Sequence, residues 1–145
     1  MENNLIAGIG EVLWDIFPEY KQLGGATANF AYHTSQFGFN ATVVSALGCD
    51  PLGDEIEHTL NTKKVNHLLS KVEYPTGTVH VTVDSEGVPC YDIRQGVAWD
   101  HIPYTDQMRD LARQCCAVCF GSLAQRNEES RATIARFLDD TPEEA

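Results

Sequence analysis

At 145 residues, with 43% hydrophobic and 21% charged, the chain has the balance of a single globular domain with a real core, not of a disordered or fibrous protein. A formal net charge of −11 argues against sequence-independent nucleic-acid binding, which needs Lys and Arg to neutralise phosphates. The longest apolar runs, such as 41–47, are too short to span a bilayer, and Met1-Glu2-Asn3-Asn4 carries no basic segment, so the expected setting is cytoplasmic, with neither membrane nor nucleic acid as partner.

Residues 5–10 form an apolar strand candidate that continues through Val12-Leu13-Trp14 until Phe17-Pro18-Glu19 breaks it, and a loop is expected up to Gly24-Gly25. The spacing of Ala26, Phe30, His33 and Phe37 predicts a helix over 26–37, with Gly38 where a C-cap glycine belongs. A second strand over 41–47 ends at Gly48. Asp50-Pro51 then opens a helix as N-cap and first helical residue, with Leu52, Ile56 and Leu60 as its buried stripe. A short strand is expected around Leu68-Leu69.

From 78 to 84, Val79, Val81 and Val83 alternate with Thr78, His80 and Thr82; Ser85-Glu86-Gly87 turns the chain, and 88–94 returns as a partner strand. Pro89 suits an edge position. Such a hairpin is a flap over a ligand, a structural extension or a dimer contact. Residues 105–114 read as a helix and 115–120 as a strand, and Asn127 caps a last helix with Ile134, Phe137 and Leu138 on its apolar side. Alternating strands and helices predict an α/β fold with a mostly parallel sheet. No further strand follows the last helix, so the sheet is expected to be incomplete at its C-terminal side.

The five cysteines, odd in number and without a secretion signal, point to reduced thiols. Cys116 and Cys119 superficially match a metal pair. On a strand, positions three apart face opposite ways, so the reading is one of small buried hydrophobes with no metal.

Two segments can carry chemistry. In Gly24-Gly25-Ala26-Thr27-Ala28-Asn29, two glycines before a helix let a ligand approach the backbone, first-turn N–H groups are free to donate, and the Asn29 amide suits a hydroxyl; a simple tight turn reads equally well. Asp15 closes an apolar strand where open α/β sheets collect ligand-binding groups, and a carboxylate there accepts from neighbouring hydroxyls. Taken alone, it is more simply a solvated strand end. A dinucleotide fingerprint starting at Gly8-Ile9-Gly10 fails because its third glycine would stand at Leu13.

Gly8 to Asp15, then Gly24-Gly25-Ala26-Thr27-Ala28-Asn29-Phe30-Ala31, then Gly38, then Leu47-Gly48-Cys49-Asp50-Pro51-Leu52-Gly53-Asp54, together resemble the first half of the ribokinase-like (PfkB) carbohydrate kinases, and most of all the bacterial fructokinases. Thr27 departs from the Pro, Ala or Gly usual at its place. The resemblance implies a ribokinase-like, Rossmann-type sheet with a β-hairpin lid over about 72–98, the whole of 1–145 being the amino-terminal part of a single kinase domain. It implies that Asp15, Gly24, Gly25 and Asn29 hold sugar hydroxyls and that Tyr91 on the lid stacks on the sugar. Gly38, Gly48, Asp50 and Gly53 are then structural. Gln125 and Arg126 line the site or sit in a solvated loop.

The substrate implied is fructose or a related ketose, with ATP and Mg2+ as partners of the complete protein. A homodimer through lid strands is an option that the family offers. Phosphoryl transfer needs a base and anion donors, which in this family come from a late Gly-Ala-Gly-Asp motif. Neither that motif nor a P-loop occurs in the sequence. The expectation is therefore a sugar-holding part without catalytic residues or bound cofactor, inactive alone. The alternative is a non-catalytic sugar-binding remnant or gene fragment.

Overall fold

The structure, a computed structural model, describes residues 5–145. In chain order the elements are β1 (Leu5–Ile9), β2 (Leu13–Ile16), β3 (Lys21–Gly24), α1 (Ala26–Gln36), β4 (Asn40–Gly48), α2 (Pro51–Thr62), β5 (Asn66–Val72), β6 (Gly77–Val83), β7 (Pro89–Ile93), a 3-10 turn (Ala98–His101), α3 (Asp106–Ala112), β8 (Cys115–Phe120), a second 3-10 turn (Leu123–Gln125) and α4 (Glu128–Asp139).

The strands make two sheets. The main sheet is parallel, in the order β5-β4-β1-β8, and the second runs β3-β2-β6-β7. Within the second, β2 pairs in parallel with β6, while β2–β3 and β6–β7 are antiparallel. The hairpin expected as a lid is thus half of this four-stranded second sheet, the lid sheet. Since β1 lies between β4 and β8, the crevice at their carboxyl ends is the topological switch point, where α/β sheets bind ligands.

Apolar packing covers both faces of the main sheet. Along β4, Val44 and Ala46 join a core with Ile9, Trp99, Ile102, Met108, Ile134 and Phe137. Val43 and Leu47, at alternate positions, join a second core with Val12, Trp14, Ala31, Ile56 and Leu60. Each such side chain contributes on the order of 1.5–3 kcal/mol when buried. Two buried hydroxyls between α4 and the first 3-10 turn are paired: Ser130 Oγ donates to Trp99 O (2.8 Å) and accepts from Ile102 N–H (2.9 Å), and Thr133 Oγ donates to Ile102 O (2.6 Å). These bonds seat α4 against the first 3-10 turn.

Three sequence expectations need correction. The first strand does not run through to Trp14: it ends at Ile9, and β2 belongs to the lid sheet. Asp15 accordingly stands inside a lid strand rather than at the end of a main-sheet strand. The supposed loop before Gly24 contains β3, a short polar edge strand. The cysteine strand β8 is the edge of the main sheet, so only Cys115 is buried while Cys116 is exposed and Cys119 half-buried. Burial pushes the Cys115 thiol up to about 11, with Cys116 adding to it, and raises Cys119 as well, there helped by the Glu11 carboxylate. Both thiols are poor nucleophiles. Among the described residues no helix is long and apolar enough to cross a membrane, and no group of three His, Cys, Asp or Glu side chains is placed to hold a metal ion.

Candidate functional site

The chain leaves β1 through Gly10, whose N–H donates to Val44 O (3.1 Å) and whose carbonyl accepts from Ser45 Oγ (2.5 Å). Those bonds fix Glu11 beneath the start of α1. Its side chain is only 4% exposed, one carboxylate oxygen accepts from Ala26 N–H (3.3 Å), and the other is buried without a partner. An acidic group at a helix N-terminus is stabilising. Thr27 Oγ1 donates to Glu11 O (3.2 Å), so the residue that departs from the family pattern adds a buried tie instead of disturbing the turn.

The two glycines are required by close approach. A methyl group on Gly24 would overlap Asp15 Oδ2. Gly25 is the N-cap of α1 at φ +105°, a region that L side chains rarely adopt, and a methyl group there would overlap Glu11 O. The carboxylate of Asp15 thus lies against a bare backbone stretch that leads into the helix. Partial burial raises its carboxyl above the ordinary range, and among the described residues no cation pairs with it.

Register places the lid residues. Asp15 is opposite Val79, Val79 opposite Ile93 and Val81 opposite Tyr91, so all five stand on one face of the lid sheet. Tyr91 is 64% exposed there. Trp14 points to the opposite face, where it, Leu23, Asn29, Tyr32 and Leu60 line a cleft of about 410 Å³ between lid, α1 and α2. Asn29 therefore borders this cleft, tied to the glycine loop by its N–H to Gly25 O (2.9 Å). The structure brings Asp15 and Gly24 into contact, Gly25 follows against Glu11, and Asn29 stands one helical turn away.

Asp50 joins helix and lid. Its Oδ1 accepts from Gly53 N–H (2.8 Å) and Thr76 Oγ1 (2.6 Å), and its Oδ2 accepts from Thr76 N–H (2.8 Å). Thr76 Oγ1 in turn accepts from Gly48 N–H (3.0 Å). Burial works to raise the Asp50 pKa, but these hydrogen bonds outweigh it and hold the carboxyl below its ordinary value. Methyl groups on Gly48 or Gly53 would intrude on this knot. Gly38 adopts φ +88° just past α1, with open space around it.

Gln125 donates to Gly121 O (2.8 Å). Arg126 is exposed but engaged. Its Nε and Nη2 donate to the buried Asp100 carboxylate (2.7 and 2.9 Å), Nη2 also reaches Arg94 O (2.6 Å), and the guanidinium lies 4.1 Å from the centre of the Trp99 ring. The Trp99 ring packs where a Gly77 side chain would be. Arg126 thereby clasps both ends of the β6–β7 hairpin. Sequence reasoning found Arg126 but missed Asp100 and Glu11; a lone acidic residue beside a glycine turn was the available signal for Glu11.

The profile of the pfkB family carbohydrate kinases matches residues 19–90, which take in the glycine turn, α1, the Asp50 knot and most of the lid hairpin. The chain belongs to that family. It is similar to a fructokinase of Salmonella typhimurium, at 29% identity across 90% of this chain and 45% of the relative. It is also similar to an ATP-dependent 6-phosphofructokinase of Thermoanaerobacterium thermosaccharolyticum, at 30% identity across 83% of this chain and 37% of the relative. Among solved structures, an uncharacterized sugar kinase of Pyrococcus horikoshii superposes with a TM-score of 0.81 and 27% identity, over 93% of this chain and 48% of that one. The same protein has been solved in complex with ATP. The pfkB chain described here spans about half the length of these relatives, or less.

Proposed function

We propose that this chain is the sugar-binding, amino-terminal part of a fructokinase-like pfkB kinase that transfers the ATP γ-phosphate to a sugar hydroxyl. The observation that carries the reading is Asp15, a carboxylate without a cation partner among the described residues, pressed against the bare Gly24 backbone on the Tyr91 face of the lid sheet. A carboxylate so placed accepts hydrogen bonds from two adjacent hydroxyls. Gly25 lets the sugar approach the start of α1, and Asn29 supplies an amide one turn on. Tyr91 offers a ring to the sugar, while residues 72–98 with β2 and β3 act as the lid. Arg126 and Gln125 serve by holding the lid and the turn after β8. A lid strand with an open outer edge, β7, suits pairing with a second copy.

ATP and Mg2+ then belong to the complete kinase. The base for the attacking hydroxyl and the donors for the transferring phosphate are absent from residues 1–145, which hold no Gly-Ala-Gly-Asp motif. Incubating the purified chain with ATP, magnesium and fructose should release no ADP above the rate without chain. ADP release proportional to chain concentration, at about 1 s⁻¹ or faster, would place a catalytic centre within these residues and overturn the reading.

A further inference from the structure

The cleft on the Trp14 face is assigned no part in sugar binding beyond its border at Asn29, yet its lining is specific. Two of the chain's four lysines stand at it, Lys21 and Lys63, with His33 beside them, in a protein whose formal net charge is −11. Lys63 Nζ lies 4.7 Å from the centre of the Tyr32 ring and has no carboxylate partner among the described residues. Lys21 Nζ lies 5.0 Å from the Trp14 ring and is paired with Glu55, the one acid engaged at this rim. The Tyr32 ring also meets His33 edge-on at 5.2 Å. Gln22 and Thr59 add neutral hydrogen-bonding groups, and Trp14, Leu23 and Leu60 form an apolar floor.

We propose that this cleft binds a small phosphorylated metabolite, its phosphate between Lys21, Lys63 and His33 and its organic part on the Trp14–Leu23–Leu60 floor. Two ammonium groups and an imidazole lining one concave site suit a compact dianion. In a chain of net charge −11, two lysines at one cleft, one of them without a carboxylate partner among the described residues, are a local concentration of positive charge. Each ammonium is held over an aromatic ring, which restrains the long side chain before a ligand arrives and lowers the ordering cost on binding. The floor favours an ester over free phosphate, because only the ester covers apolar surface. The site lies behind the lid sheet relative to Asp15 and meets the proposed sugar site only at Asn29, so a ligand here touches the lid strands β2 and β3 from outside.

The test titrates the 145-residue chain with inorganic phosphate, glycerol 3-phosphate and, as neutral control, glycerol, by calorimetry and by the imidazole proton shifts of His33. Saturable binding of both phosphates at one site per chain is expected, tighter for the ester and undetectable for glycerol. Lys63→Gln should weaken binding about tenfold, the scale of one lost charge-assisted contact. Lys64→Gln, next in sequence but outside the cleft, should change it less than about twofold, and Asp15→Ala should leave it unaltered. Absence of saturable binding, or equal loss in the Lys63 and Lys64 variants, overturns the site. Loss in Asp15→Ala also overturns it, by placing the phosphate on the sugar face, whereas failure of the sugar reading alone leaves the lysine dependence intact.

Discussion

At the scale of single residues, Asp50 and Asp15 show one side chain under two opposite regimes. Asp50 is surrounded by donors and its carboxyl is held low. A carboxyl depressed in the folded state contributes stability above its unfolded pKa and loses it as pH falls through the folded value. Asp50→Ala removes an N-cap and leaves Thr76 without its acceptor, so unfolding in urea at pH 7 should show a loss of roughly 2–3 kcal/mol. That difference should shrink below about pH 4, and a loss under about 0.5 kcal/mol at pH 7 would show the knot to be idle. Asp15 has the reverse shift: burial without a partner raises its carboxyl, so the folded state takes up its proton at a higher pH than the unfolded chain does. Only the ionised form accepts two hydroxyls, so fructose affinity should be constant near neutrality and fall as pH drops through the Asp15 value. Calorimetric titration between about pH 4 and 8 checks this, and a flat profile in protein that stays folded contradicts it. Asp15 was singled out as the close of the first strand, which in the structure ends at Ile9, and Asp50 was legible from Pro51 beside it. Glu11 was not, because its partner N–H lies 15 residues on and only the folded glycine turn brings the two together.

Among the elements, helices were read more closely than strands. α1, α2, α3 and α4 begin within a residue of their expected starts, because Asp50, Thr105 and Asn127 cap three of them with side-chain hydrogen bonds and the glycine pair precedes the other. The passage from β1 to β2 was hidden. Val12, Leu13 and Trp14 are all buried, Leu13 in one core and Trp14 in the other, so an apolar run continues unbroken across a change of sheet. β3 escaped notice because Lys21-Gln22-Leu23-Gly24 carries little apolar signal at an edge. β7 has every residue exposed, as an edge carrying Pro89 should, yet its register fixes Tyr91 on the Asp15 face. Tyr91→Ala should therefore leave the melting temperature within about 1 °C, as surface substitutions do. Fructose affinity should fall several-fold, by roughly 1 kcal/mol, through loss of the ring. A lowered melting temperature with unchanged affinity would make Tyr91 structural.

For the molecule as a whole, the two sheets divide the work. The main sheet supplies the switch point, with the Glu11 carboxylate buried at the turn that leaves β1, and the lid sheet carries Asp15 and Tyr91, 76 residues apart in sequence, on one face. Arg126 and Asp50 fasten the hairpin at its two roots, so lid and base form one framework around the glycine turn. The main sheet ends at β8, where Phe120 is 47% exposed and Val118 and Leu138 line an open hollow. The central claim, that Asp15 beside Gly24 and Gly25 is the anchor of a sugar site, is tested most directly by titrating fructose into the wild-type chain and Asp15→Ala under identical conditions. The account predicts saturable binding to the wild-type chain at one site, weakened at least ~tenfold in the variant by loss of charge-assisted hydrogen bonds. Equal affinity in the two proteins, within about twofold or 0.5 kcal/mol, would contradict it.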